Sequence, residues 1–206
     1  MPMNYIFIGN PGNGKATLLN ILCNDAKFKG GYAVGTGLTT VHQRVTIGGI
    51  TYTDTPGLND SDEKQRKKSC VEISTALKHG GDCKVIFVVG EKNARVVPED
   101  AATMNMVLDA VPEIVKNKFG VIVNQVSAKT AALQATGVES KATWAAYLFS
   151  KRPDVSTGHL LFLDRIAALE DVPSEAMNFA KVRGLEKIKL FMEFVNECPA
   201  INLTTT

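Results

Sequence analysis

Residues 9 to 17 read Gly-Asn-Pro-Gly-Asn-Gly-Lys-Ala-Thr. A glycine, four residues, a second glycine and a lysine is the spacing that lets successive backbone N–H groups converge on a phosphate. Gly9 and Gly14 bracket the curl made by Asn10, Pro11, Gly12 and Asn13, and Lys15 can reach the β- and γ-phosphates of a nucleotide. The helix that follows adds its positive end. The next position should donate a hydroxyl to Mg²⁺, yet it holds Ala16. Thr17 does not replace it, because one step along a helix turns a side chain by about 100°. Ala16 reads either as natural divergence or as a change that disables an otherwise intact loop, and the retained Lys15 favours the second.

A second short stretch lies at a strand end: Asp54-Thr-Pro-Gly57-Leu58. An aspartate there can reach Mg²⁺ through water, and the Gly57 N–H can bond a γ-phosphate oxygen. The two stretches occur in the right order, each after an apolar run, which is harder to obtain by chance than either alone. A third, Asn124-Gln125-Val126-Ser127, follows a later apolar run.

With these residues in place the chain resembles the translation-factor-related GTPases, and within them the septin-like group that includes immunity-associated GTPases and chloroplast import receptors. The narrower likeness rests on Phe28-Lys29, Gly37-Leu-Thr39-Thr40, Asp54 to Leu58, and Ala94-Arg95-Val-Val-Pro-Glu99-Asp100. It covers most of the first 125 residues. It implies GTP or GDP as ligand, Mg²⁺ as cofactor, and a homodimer across the nucleotide face. Thr39 would bind Mg²⁺ and report the γ-phosphate, with Thr40 the near alternative; a strand-opening threonine pair is the other reading. Arg95 would carry charge across the dimer, or else is a solvated surface residue.

Two departures from the family pattern matter. Leu58 stands where Ras-like enzymes place a water-orienting Gln, and an apolar side chain cannot orient water, so hydrolysis is expected to be slow or to need a partner. Guanine is ordinarily read by Asn-Lys-x-Asp. Here Asn124 fits and Gln125 can lie along the base, but Ser127 has no carboxylate for guanine N1 and N2. The alternative is an assembly or interaction module with little catalysis. A kinase of this fold would need clustered arginines, and residues 127–158 contain only Arg152.

The elements that must position these residues can be read from periodicity. At 206 residues and 45% hydrophobic content, one domain spanning 1–206 is expected. A net charge of +2 gives no field that argues for nucleic acid. The basic run Lys64 to Lys68 reads as a solvated helix opening. Four unpaired-looking cysteines suit a reducing, cytoplasmic setting, and no apolar run approaches the roughly 20 residues of a membrane span. The expected fold is a three-layer α/β/α domain with a six-stranded, mainly parallel sheet carrying one antiparallel strand. Its strands are Tyr5–Ile8, Val41–Ile47, Ile50–Thr53, Lys84–Val89, Phe119–Val123 and His159–Leu163. Helices are expected after the phosphate loop, over 62–79, over 98–110, over 127–149 with a break near Gly137, and as one piece over 174–196. The final helix places Phe179, Val182, Leu185, Ile188 and Val195 on one face. His42 alternates with apolar neighbours and reads as a strand-surface histidine.

Overall fold

A computed structural model describes residues 3–28, 41–58, 63–78, 81–111, 114, 119–135, 141–150, 152, 155, 159–166, 169 and 174–202. Thr39, Thr40 and Gly137 lie outside them. The apolar runs form the strands β1 (Met3–Ile8), β3 (Ile50–Asp54), β4 (Asp82–Lys92), β6 (Phe119–Val126) and β7 (Leu160–Asp164), and the alternating run forms β2 (Gln43–Ile47). Their order in the sheet is β2-β3-β1-β4-β6-β7. All neighbours on this path are parallel except the hairpin of β2 and β3, turned by Gly48 and Gly49, both at positive φ. Two further strands of two residues each escaped the periodicity reading. β5 (Arg95–Val96) and β8 (Ile201–Asn202) pair antiparallel with the two ends of β4.

Strand β4 is buried on both sides, and its alternation divides the core in two. Cys83, Val85, Phe87 and Val89 face one layer together with Ile73 and Leu77 of α2 (Glu63–Lys78) and Met104, Val107 and Leu108 of α3 (Pro98–Ala110). The same layer holds Trp144 and Leu148. Between α3 and these two lies α4 (Ala128–Ala135); they themselves belong to α5 (Lys141–Leu148). Ile86 and Val88 face the other layer, with Leu18, Leu19 and Ile21 of α1 (Lys15–Cys23).

The single C-terminal helix expected over 174–196 is broken into a 3-10 turn (Ser174–Ala176), α6 (Phe179–Arg183) and α7 (Glu186–Glu197). The break has local causes. The Asn178 side chain accepts the Lys181 N–H and opens α6, Gly184 closes it, and Leu185 is extended at φ −68°, ψ 137°. The apolar face survives the break: Val182, Ile188 and Val195 are buried, and Phe179 and Leu185 pack beside them.

At the amino end of β4, Lys84 is buried and donates to the carbonyls of Val195 (3.2 Å) and Asn196 (2.5 Å) in the last turn of α7. A cation there satisfies carbonyls that the helix leaves without partners and meets the negative end of its dipole. Burial pulls its pKa down. No helix among the described residues is long and apolar enough to cross a membrane.

Candidate functional site

Strands β1, β3, β4 and β6 present their carboxyl ends on one edge, where ligands settle in open α/β sheets. The loop from Gly9 to Gly14 leaves β1 there. Gly12 and Gly14 adopt φ of 85° and 84°, the left-handed region that glycine tolerates. Gly14 caps α1, and its carbonyl accepts the Leu18 N–H at 3.1 Å. Lys15 opens the helix and folds back, donating to the Gly9 carbonyl at 2.8 Å and the Asn10 carbonyl at 3.2 Å. Only 7% of it is exposed. Burial pulls its pKa down, while Asp54 and Asp100 support its charge. Lys15 and Asp54 are thus brought together as expected.

Close packing explains the glycines. A Cβ on Gly9 would stand 2.2 Å from the Val88 carbonyl oxygen, and one on Gly57 would stand 2.1 Å from Pro11 Cδ. The turn after Asp54 therefore lies directly against the phosphate loop. A Cβ on Gly14 would meet Asn124 Nδ2 at 2.6 Å, and that same nitrogen donates to the Asn13 carbonyl at 2.8 Å. Asn124 is held on the loop.

The remaining expected residues are placed as follows. Ala16 packs against the apolar cluster around α1, and Thr17 is half-buried on the same helix. Leu58 is 3% exposed, packed in the core with Ile73 and Met104. Gln125 is exposed at φ 59°. The Ser127 hydroxyl accepts the Thr130 N–H at 3.3 Å, a cap for α4, and its own N–H donates to Glu91 Oε2 at 2.8 Å. Burial pushes the Glu91 carboxyl up, but the N–H groups of Ser127 and Ala94 outweigh this and hold it below its ordinary value. Arg95 is exposed on β5 and lines a cavity of about 370 Å³ with Trp144 and Tyr147. No phosphate-loop residue lines that cavity.

Asp100 also belongs to the site, although Pro98-Glu99-Asp100 reads in sequence as an ordinary acidic helix start. It is 3% exposed and accepts from Asn10 Nδ2 at 2.7 Å and from the Gly90 N–H at 2.6 Å. The available signal was its spacing from the end of β4: an aspartate in the first turn of α3 can reach back to that strand end.

His42, read as a strand-surface residue, is half-buried and directs both its N–H (3.2 Å) and Nδ1 (2.6 Å) at Glu72 Oε2 on α2. The His42 side chain holds the Glu72 carboxyl below its ordinary value of 4.5. A carboxyl that is harder to protonate when folded contributes stability above its unfolded value and loses it as pH falls through the folded one. The stability difference between the parent and Glu72→Gln should therefore be present just above about pH 4.5 and shrink as pH falls below it, as read by urea unfolding across pH.

A loop that cradles phosphate, a lysine folded against it and an aspartate at the neighbouring strand end define a phosphate-loop nucleotide-binding domain. The chain belongs to the 50S ribosome-binding GTPase family, whose profile matches residues 4–125. It is similar to the tRNA modification GTPase MnmE of Moorella thermoacetica, 25% identical over 135 residues, which cover 65% of this chain and 29% of that protein. The chain thus spans less than a third of that relative's length. Among solved structures it is similar in fold to Era of Aquifex aeolicus bound to GDP and aluminium fluoride (TM-score 0.53, 14% identity, 94% of this chain and 57% of that one). It is likewise similar to Toc33 of Arabidopsis thaliana with Mg²⁺ and GMPPNP (TM-score 0.54, 16% identity, 97% of this chain and 87% of that one). Era has also been solved with 16S ribosomal RNA, and Toc33 as a dimerization-deficient mutant.

Proposed function

We propose that this chain is a guanine-nucleotide switch whose grip on Mg²⁺ is weak, hydrolysing GTP slowly or on dimerisation. The observation that carries the reading is the phosphate loop itself, assembled around Lys15 with Asp54 beside it while Ala16 offers no hydroxyl. Gly9 to Gly14 would receive the β-phosphate on their N–H groups, Lys15 the β- and γ-oxygens, and Gly57 the γ-phosphate.

The donor set fits Mg²⁺ delivered with the nucleotide. Among the described residues no three His, Cys, Asp or Glu form a cage for a metal. Asp54 and, by the resemblance, Thr39 would hold the ion, the phosphate oxygens and water supplying the rest. Bound there, it would neutralise charge shared by the β- and γ-phosphates. Leu58 is buried away from any attacking water, which supports slow hydrolysis.

Asn124 is pinned to Asn13 and would border the base with Gln125, while Ser127 spends its hydroxyl on the α4 cap. Guanine selectivity should accordingly be modest. The septin-like grouping rests on the Ala94 to Asp100 stretch, because the fold likeness to Toc33 is matched by that to Era. An exposed Arg95 suits a charge offered to a second copy rather than to its own loop.

The test is calorimetric titration of nucleotide-free protein with GTP, GDP, ATP and ADP, with and without Mg²⁺. Guanine-favoured binding that gains little from Mg²⁺ is expected. Equal or adenine-favoured binding would overturn the guanine assignment. The second reading, an interaction module with little catalysis, is favoured by Ala16 and the buried Leu58 together, and absence of turnover in both this protein and Ala16→Ser at every protein concentration would select it.

A further inference from the structure

We propose that Asp100 is a positioning residue for the phosphate loop, holding Asn10 from the first turn of α3 so that the loop's N–H groups stay convergent before any nucleotide arrives. The inference rests on the reading of residues 9–15 as a nucleotide site. Three chain segments meet at this carboxylate. Asn10 Nδ2 donates to Oδ1 at 2.7 Å and the Gly90 N–H at the end of β4 donates to Oδ2 at 2.6 Å, with the Asn13 side chain beside them. The Asn10 amide is fixed at both ends, because its Oδ1 accepts the Thr103 hydroxyl at 2.9 Å.

All of these groups except Asn13 and Gly90 are more than nine-tenths buried, with Asn10 and Asp100 3% exposed and Thr103 5%. Donors facing a buried carboxylate cannot turn to water, so each bond is strongly directional in its demand. Burial pushes the Asp100 carboxyl up, while the Gly90, Asn13 and Asn10 donors and the Lys15 charge pull the other way. The phosphate loop is thus held from both layers: α1 continues it on one side of the sheet, and α3 reaches it from the other. A loop fixed in this way meets the ligand without an ordering cost at binding. Where Ala16 removes a metal ligand, that protein-borne order carries more of the affinity.

The experiment exchanges the polarity of the pair. Asp100→Asn replaces one of the two acceptor oxygens with an NH2 group, so that a donor faces the donor of Asn10 or of Gly90. It should weaken GDP binding about tenfold or more, the usual effect of losing a hydrogen bond to a charged group. The double variant Asn10→Asp with Asp100→Asn restores one donor facing one acceptor while leaving an oxygen for the Gly90 N–H, and should recover most of that loss. A merely structural role for Asp100 would lower the unfolding midpoint without this reciprocal recovery. GDP binding unchanged in Asp100→Asn, or equally weak in the double variant, would overturn the proposal.

Hydrogen exchange at the amides of residues 12–15 in ligand-free protein separates the two readings. Faster exchange in Asp100→Asn and its reversal in the double variant support the positioning role even if the parent binds no GDP, in which case the nucleotide reading fails alone. Unchanged exchange overturns the positioning role.

Discussion

Ala16→Ser is expected to hydrolyse GTP about 100-fold faster than the parent in Mg²⁺, and to bind GTP more tightly with Mg²⁺ than without it. Losing an outer-shell partner of a metal ligand costs roughly 10- to 100-fold in metal affinity or activity, so restoring a direct ligand should reach at least the upper end. The rest of the site is already assembled: Lys15 lies on the Gly9 and Asn10 carbonyls, and Gly57 packs on Pro11. The exchange is small in folding terms, since Ser ranks only about 0.5 kcal/mol below Ala in a helix interior. Single-turnover hydrolysis in Mg²⁺ and in EDTA, repeated over a range of protein concentrations, measures the effect. Equal turnover in both proteins would mean that the missing hydroxyl is not what limits the reaction, and attention would shift to Leu58.

Gly9→Ala should be among the most damaging single methyls at the described glycines, lowering stability by about 3 kcal/mol or more, at or beyond the usual cost of overpacking a core. Its Cβ would sit 2.2 Å from the Val88 carbonyl oxygen, which is backbone of the central strand and cannot rotate away. The same oxygen accepts Asn13 Nδ2 at 2.9 Å. Displacing it therefore disturbs the phosphate loop from a second direction. Urea unfolding would read the change as a lower midpoint at unchanged slope. A midpoint equal to the parent's would show that β1 and β4 separate without cost, contrary to their parallel register from Asn4↔Cys83 to Ile8↔Phe87.

The features that sequence discloses well are those with strong local chemistry. The loop of residues 9–15, the strand of uninterrupted Ile, Phe and Val in β4, and the Gly48-Gly49 hairpin each carry their own signal, and each lies where expected. The Pro98 start of α3 was equally plain. Long-range partners were not legible, because nothing at position 100 distinguishes a solvated helix-start aspartate from one reaching back to Asn10 across 90 positions. The two-residue strands β5 and β8 have no period to detect; their pairing is imposed by β4. The C-terminal break follows the same logic in reverse, since an apolar stripe that continues through Gly184 hides the extended residue Leu185. Ser127 illustrates a third case: its helix-start role was legible, whereas the carboxylate of Glu91 bonded to its N–H was not.

Lys84 bears on how the protein comes into being. Its two carbonyl partners lie 111 and 112 positions further along the chain, and β8 closes on the same end of β4 from further still. Contacts of such separation require closure of a long loop before they repay it, which slows folding. During synthesis, a chain that has emerged only as far as β7 holds a central strand whose lysine has no helix end to serve. The last helix therefore docks late, and the amino end of β4 that it and β8 cover stays open until then.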